Sequence, residues 1–283
     1  MIAVKLMGGL GNQMFQYAIG RRLALHKNAE LYLDLSFLNL RENVDYTLRK
    51  YELSRFKISA ITKDVFFKDD FISKAIHKLK RIKYLVERNE LFDPTILSEK
   101  RNVYLSGFWQ SEKYFADIRQ TLLEDFALQS SLSKDNMLLS QQIASVNSVS
   151  IHIRRGDYIS NKNALSKHGV LGLDYYKNAL NLIRSRVPNP VFYIFSDDIN
   201  WIKQNLHIEE SHYIIEHNKA EDSYLDMILM STCKHNIIAN SSFSWWGAWL
   251  NDYSEKMVIG PKNWFSDSTI DTSDIIPESW IKM

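Results

Sequence analysis

Residues 149 to 158 read VSIHIRRGDY, a short apolar-polar alternation from Val149 to Ile153 that runs straight into two arginines and a glycine. Alternation with period two marks a strand, and the glycine after it marks a turn at the strand's carboxyl end. Four similar runs follow, Val191 to Phe195, Tyr213 to Ile215, Asn236 to Ala239 and Met257 to Ile259, separated by helical stretches such as Glu221 to Lys234. Strands alternating with helices in this way predict a mostly parallel, doubly wound sheet.

The amino-terminal end repeats the pattern. Ile2 to Leu6 reads as a strand, Gly8 to Gly11 as a turn, Gln13 to His26 as a helix with apolar Met14, Tyr17, Ala18, Leu23 and Leu25, and Leu31 to Leu35 as a second strand. The fold class is therefore α/β, with two Rossmann-like domains, residues 1–145 and 146–283, whose strand ends face a cleft where ligands belong. The polar run Gln129 to Asp135 is the candidate linker, and the topology between about Asn39 and Leu97 stays open.

Composition narrows the function. With 283 residues, 45% of them hydrophobic, the chain has material for one large core or two smaller ones. Its 35 Lys and Arg against 33 Asp and Glu leave a formal charge of +2, so no global basic field argues for nucleic acid. A single cysteine, Cys233, excludes an internal disulfide and a thiolate metal cluster. The first apolar run is too short for a signal-peptide core, and no stretch approaches 18 uninterrupted apolar residues, which predicts a cytoplasmic protein. Ser73 to Arg88 reads as a basic amphipathic helix. It could rest peripherally on the anionic inner face of a membrane, but packing on its own domain explains it better.

Five constellations could carry chemistry. Along the strand, His152 and Arg154 share a face opposite Ile151 and Ile153, which points Arg154 toward a ligand at the strand end as a fork for a diphosphate. A surface pair of Arg155 with Asp157 is the plainer alternative. The run Asn240-Ser241-Ser242-Phe243-Ser244-Trp245-Trp246-Gly247-Ala248-Trp249 is a second strand-to-helix junction whose capping residues and free amides suit an anion, while Trp245, Trp246 and Trp249 read as core. Asp226, among Leu225, Ile228 and Leu229, is a carboxylate placed to take the paired N–H donors of guanine, with a plain exposed helix aspartate the alternative that spacing leaves open. Asp197 and Asp198 look like a metal pair, but their side chains diverge and no further ligands cluster with them, so no metal is expected. The turn Gly8-Gly9-Leu10-Gly11-Asn12-Gln13 only partly fits a dinucleotide fingerprint, since Met14 stands at the third glycine position and Asp34 lacks context.

Taken together, GGLGNQMFQYA, HIRRGDY, FSDD and NSSFSWWGAWL resemble the motif set of the bacterial galactoside α-1,2-fucosyltransferases, in matching order from residue 8 to residue 250. That resemblance implies an inverting enzyme of GT-B type. It would move L-fucose from GDP-β-L-fucose to the 2-hydroxyl of a terminal galactose on an oligosaccharide or lipid-linked glycan such as O-antigen or capsule. GDP-fucose would be a substrate, with no separate cofactor and no metal.

By the same resemblance Arg154 would hold the β-phosphate, with Arg155 and Asp197 beside it, and His152 and Asp226 would line the nucleoside. Ser241, Ser242, Phe243 and Ser244 would meet the phosphates. Gly9, Gly11 and Asn12 would approach the reacting sugar from the other domain. Asp157, just past the phosphate-binding turn, is the nominee for the base. Gly9 stands where protein O-fucosyltransferases carry an arginine, and Lys162 falls where the core α-1,6 enzymes carry their base-like glutamate. A fucosyltransferase of another linkage, a non-catalytic nucleotide-sugar-binding protein and an NAD-dependent oxidoreductase are the rival readings.

Overall fold

The structure, a computed structural model, describes residues 1–40, 49–64, 82–100, 102–156, 159 and 161–283, with backbone alone for 162–164. The chain divides into two compact units, Met1–Ser131 with Ser273–Ile275, and Leu132–Thr272 with Ile276–Met283. The division falls inside the polar run proposed as linker. It precedes the 145 boundary read from the sequence because the helix Lys134–Ser145 packs within the second unit.

In the first unit the elements are β1 (Ile2–Lys5), α1 (Leu10–His26), β2 (Leu31–Asp34), β3 (Ile61–Lys63), β4 (Lys83–Val86), α2 (Pro94–Ser98), β5 (Val103–Ser106) and α3 (Arg119–Asp125). They form a five-stranded sheet in the order β3-β2-β1-β5-β4, every pair parallel. Central β1 has Ile2, Ala3 and Val4 fully buried, as a strand covered on both faces requires. Helix α1 lies close on it at Gly20, where an added Cβ would come within 2.6 Å of Val4 and 2.8 Å of Leu31.

Two readings are corrected here. Helix α1 begins at Leu10 rather than Gln13, with Gly9 as its N-cap. Within the stretch read as a helix over Ser73 to Arg88, residues 73–81 lie outside the described residues, and Lys83–Val86 is an edge strand pairing Tyr84 with Tyr104. The aromatic and branched residues Tyr84 and Val86 suit pairing with β5, and that tertiary pairing overrides the local helical period.

The second unit runs α4 (Lys134–Ser145), β6 (Asn147–Ile153), α5 (Lys162–His168), α6 (Leu173–Arg186), β7 (Pro190–Ser196), α7 (Ile199–Asn205), β8 (His212–Ile215), α8 (Tyr224–Thr232), β9 (His235–Ile237), α9 (Ser242–Leu250), β10 (Val258–Gly260) and β11 (Ile281–Lys282). The helix expected over Glu221 to Lys234 is shorter, because a 3-10 turn at Ala220–Asp222 precedes α8. The sheet order is β11-β10-β9-β6-β7-β8, again parallel throughout. Thus β6, the strand of the opening motif, is central.

Its two faces differ as the alternation predicts. Val149, Ile151 and Ile153 join an apolar cluster with Tyr176, Ala179, Leu180 and Ile183 of α6. Ser148 and Ser150 belong to the other set, where the Ser150 hydroxyl accepts from Asn236 Nδ2 at 2.7 Å and Asn236 also donates to the Met230 carbonyl at 2.8 Å. These bonds are what let the polar His235-Asn236-Ile237 run serve as a buried strand. Trp245, Trp246 and Trp249 are buried in α9, with Trp245 also against Trp280 at 5.4 Å.

Candidate active site

The register of β6 on β7 builds the centre of the site. Ile153 pairs with Ser196, so the next residues along, Arg154 and Asp197, emerge side by side from adjacent parallel strands. Arg154 Nη1 sits 3.0 Å from Asp197 Oδ2, and the Arg155 backbone N–H donates to Asp197 Oδ1 at 2.8 Å. Arg155 turns aside, with Nε 3.3 Å from Asp198 Oδ2 and its guanidinium 4.0 Å over the Trp201 ring. Asp198 also caps α7 by accepting from the Trp201 N–H at 3.1 Å. The two aspartates therefore engage different arginine side chains, Asp197 that of Arg154 and Asp198 that of Arg155. An added Cβ at Gly156 would lie 2.9 Å from Asp197 Oδ2, so the turn closes tightly over the carboxylate only because a glycine stands there.

Arg154 emerges partly exposed from this arrangement, its side chain one quarter accessible. A guanidinium offers five N–H donors, and Asp197 meets it at one of its nitrogens. Two residues earlier, His152 is almost fully buried, and its Nδ1 has no hydrogen-bond partner among the described residues. Burial, reinforced by the Arg154 charge, pushes its pKa down to about 4, so the imidazole is neutral. Its ring lies 5.8 Å from that of Phe243, which links the end of β6 to the start of α9.

That helix start is open. Ser241 is the N-cap in extended conformation, yet its side chain makes no capping bond. The Ser244 hydroxyl turns back toward the Ala239 and Ser241 carbonyls at 3.4 and 3.2 Å. The backbone amides of Ser242, Phe243 and Ser244 take no protein acceptor among the described residues. Three free N–H groups backed by a helix dipole make a site for an anion. Asn240, read from the sequence as a cap, instead ties two loops together, donating from Nδ2 to the His168 carbonyl at 2.7 Å and the Trp264 carbonyl at 3.3 Å. The Tyr175 hydroxyl fixes the neighbouring strand ends through the Ile238 and Ile259 carbonyls.

Asp226 stands in the first turn of α8 and accepts from Asn218 Nδ2 at 2.8 Å. Asn218 is held in turn by Asn136 of α4, whose Oδ1 also meets His217 Nε2 at 2.8 Å. Burial pushes the Asp226 carboxyl up to about 7, with the Asn218 amide pulling the other way.

In the first unit the glycine turn is wired from within. Gly8 is left-handed at φ 75°, and an added Cβ there would lie 2.5 Å from Asn12 Nδ2. Gln13 holds the Gly8 and Lys50 carbonyls, while Gln16 holds the Met7 N–H and the Gly107 carbonyl. Asn12 Oδ1 accepts from Gln110 Nε2 at 2.7 Å. Gly9 caps α1 and Gly11 lies buried in its first turn. Asp34 is no ribose ligand, since both its oxygens are engaged, by the Tyr104 hydroxyl and the Ser36 N–H.

The structure thus brings His152, Arg154, Arg155, Asp197, Ser241, Ser242, Phe243 and Ser244 to one end of the second sheet. Asp226 belongs to the same unit on α8. Gly9, Gly11 and Asn12 belong to the first unit, and Asp157 lies outside the described residues. Sequence reasoning missed Trp201, Asn136 and Asn218, because no local signal marks a residue that acts through a partner dozens of positions away.

Comparison with known proteins gives the same direction. The model for glycosyl transferase family 11 matches residues 1–283. An α-1,2-colitosyltransferase of Escherichia coli is 39% identical, covering 100% of this chain and 98% of its own length. A galactoside α-(1,2)-fucosyltransferase 2 of Rattus norvegicus is 26% identical over 52% of this chain and 44% of its own. Among solved structures, the NodZ α-1,6-fucosyltransferase soaked with GDP-fucose superposes with a TM-score of 0.50 at 12% identity, covering 88% of this chain and 92% of that one. At that identity the likeness is one of fold, two parallel α/β sheets of GT-B type.

Proposed function

The chain belongs to glycosyl transferase family 11, and on that footing we propose that it transfers L-fucose from GDP-β-L-fucose to the 2-hydroxyl of a terminal galactose, inverting the anomeric centre. The observation that carries the donor half is the uncapped start of α9, with its three uncommitted amides, at the same sheet end as the partly exposed Arg154. As the C1–O bond of the sugar breaks, negative charge gathers on the β-phosphate. Arg154 and the amides of Ser242 to Ser244 take up that charge, and Ser241 and Ser242 add hydroxyl donors. The protein's own groups carry this neutralisation.

Asp197 holds Arg154 in place and leaves the diphosphate to it. Neutral His152, with an unpartnered Nδ1, lines the nucleoside, and the Asp226 carboxylate takes the N1–H and exocyclic amine of guanine. Asn12, with Gly9 and Gly11, serves the sugar side. The linkage assignment draws support from the α-1,2 relatives and the galactose acceptor from the mammalian one.

One finding favours a second donor. The full-length relative at 39% identity is named for colitose, the 3-deoxy counterpart of fucose. Acceptor-dependent GDP release with GDP-fucose against GDP-colitose, and product linkage by NMR, separate the two donors and test the transfer itself. The acceptor glycan is of the surface-polysaccharide kind. No helix among the described residues is long and apolar enough to cross a membrane.

A further inference from the structure

His217 and Asn218 follow β8 at the carboxyl end of the second sheet, the end at which ligands bind in such folds. With Asn136 of α4 they form a hydrogen-bonded chain that ends on the Asp226 carboxylate. Asn136 Nδ2 donates to Asn218 Oδ1 at 2.8 Å. Asn218 Nδ2 gives one proton to Asp226 Oδ1 at 2.8 Å and the other back to Asn136 Oδ1 at 3.2 Å. The second amide proton of Asn136 goes to the Ser133 hydroxyl at 3.3 Å, and the same hydroxyl caps α4 by accepting the Asn136 N–H.

The direction of the chain is fixed by this arrangement. Asn136 Oδ1 can only accept, so His217 Nε2, 2.8 Å away, carries a proton and donates it. All four amide protons of the two asparagines are then committed. Turning the Asn218 amide over would set its oxygen against the carboxylate and its nitrogen against the Asn136 nitrogen. Asn136 is itself buried, 2% exposed, which holds the pair in this sense. Asp226 therefore always meets a donor on Oδ1 and never an acceptor.

That matters for the choice of base. An ionised carboxylate offers acceptors only, whereas a protonated one offers a donor beside an acceptor. Guanine presents two adjacent donors, its N1–H and exocyclic amine. Adenine presents an amine donor beside a ring-nitrogen acceptor. The ionised side chain matches guanine and the protonated one matches adenine. Burial drives Asp226 toward the protonated form, and the Asn218 amide opposes it. The elements packed most closely on α8 are α4, α9 and the 3-10 turn at Ala220–Asp222. Their charged groups near α8 are Lys134 and Asp135 at the start of α4 and Glu221 and Asp222 of the turn, all exposed, and α9 carries none.

We propose that Asn218, oriented by Asn136, is a specificity-determining positioning residue of the donor site: it keeps Asp226 an all-acceptor carboxylate that takes guanine and rejects adenine. The assignment rests on the reading of Asp226 as the guanine ligand. It adds that the selectivity belongs to the relay and not to the carboxylate alone.

The test is calorimetric binding of GDP-fucose, GDP and ADP at pH 7 and pH 9 to wild type, Asn218→Leu, Asn136→Leu and Asp226→Asn, with a thermal melt of each. GDP and ADP carry the same titrating terminal phosphate, so their affinity ratio reads the base alone. Leucine keeps the volume of Asn218 and removes its donor, which should move the Asp226 titration up by about one unit. The Kd of GDP-fucose should then rise about fivefold at pH 7 and stay within about twofold of wild type at pH 9, and the preference for GDP over ADP at pH 7 should fall about tenfold. Asn136→Leu, which frees the Asn218 amide to turn, should move both quantities in the same direction.

An Asn218→Leu protein that matches wild type at pH 7 overturns the proposal. So does a loss of affinity equal at pH 7 and pH 9 with the GDP preference intact, the mark of a merely structural side chain. A wild type without preference for GDP, or an Asp226→Asn variant that keeps it, overturns the guanine reading and the role of Asn218 with it. Loss of the preference in Asp226→Asn but not in Asn218→Leu overturns the role of Asn218 alone.

Discussion

If the Asp226 carboxylate receives guanine, donor affinity must depend on pH in a way that can be worked out beforehand. Its pKa in the free protein is raised to about 7, chiefly by burial. Guanine presents two donors and binds the ionised form, so the apparent Kd is multiplied by the factor by which protonation depletes that form. With a pKa near 7, the factor is roughly 1.1 at pH 8, 2 at pH 7 and 11 at pH 6, about a tenfold loss of affinity between pH 8 and pH 6.

The direction follows from linkage. A carboxyl raised by burial favours folding while protonated, and that contribution fades as pH rises through about 7. Binding the carboxylate reverses the preference, so complex formation at pH 7 releases about half a proton. GDP-fucose is the probe to use, because its diphosphate is fully esterified and does not itself titrate in this window. Isothermal calorimetry in two buffers of different ionisation enthalpy reads both the Kd and the proton count. His152, held down to about 4, stays neutral throughout, and His217→Gln removes the other imidazole that faces the Asn136–Asn218 network. Asp226→Asn should bind weakly and without pH dependence. A Kd that varies less than about twofold between pH 6 and 8, or an Asn variant that follows the wild-type curve, refutes the guanine assignment.

Two further outcomes follow from packing and pairing. Asp197→Ala leaves Arg154 without its 3.0 Å partner and the Arg155 N–H without its acceptor, so kcat/KM for GDP-fucose should fall about tenfold or more, the size of one lost charge-assisted bond. An unchanged or raised kcat/KM in steady-state GDP release would remove Asp197 from the positioning role. Gly20→Ala drives a methyl to 2.6 Å from Val4 and 2.8 Å from Leu31, both buried. Overpacking of about 1–3 kcal/mol outweighs the gain in helix propensity, and a thermal scan should show Tm lower by about 3–6 °C, whereas a higher Tm would show that α1 is not tightly seated.

How much of this was legible in the sequence depends on how local each cause is. The parity of β6 was readable, since alternation alone separates His152 from Ile151 and Ile153, and those isoleucines do join the cluster on α6. The partners of the arginines were not. Asp197 meets Arg154 because Ile153 happens to register with Ser196, and Arg155 finds Asp198 and Trp201 of the next strand end and helix. The wiring of the GNQ turn was out of reach in the same way: Gly8 is needed against the Asn12 side chain, and Gln13 and Gln16 stitch the turn to residues 50 and 107. Edge strand β4 was hidden because its stability comes from β5, twenty residues away, and not from its own period.

The central claim is that Arg154 and the α9 amides hold the departing GDP of a fucosyl transfer. It is tested most directly by measuring acceptor-dependent GDP release from GDP-fucose by wild type and Arg154→Ala, with β-galactoside acceptors and the product linkage read by NMR. The expected result is an α-1,2-linked fucoside from wild type and a rate lower by about 10²–10³ in a variant that still folds and melts normally. An Arg154→Ala enzyme that turns over at the wild-type rate, or a wild type that forms no fucoside across a broad acceptor panel, would contradict it.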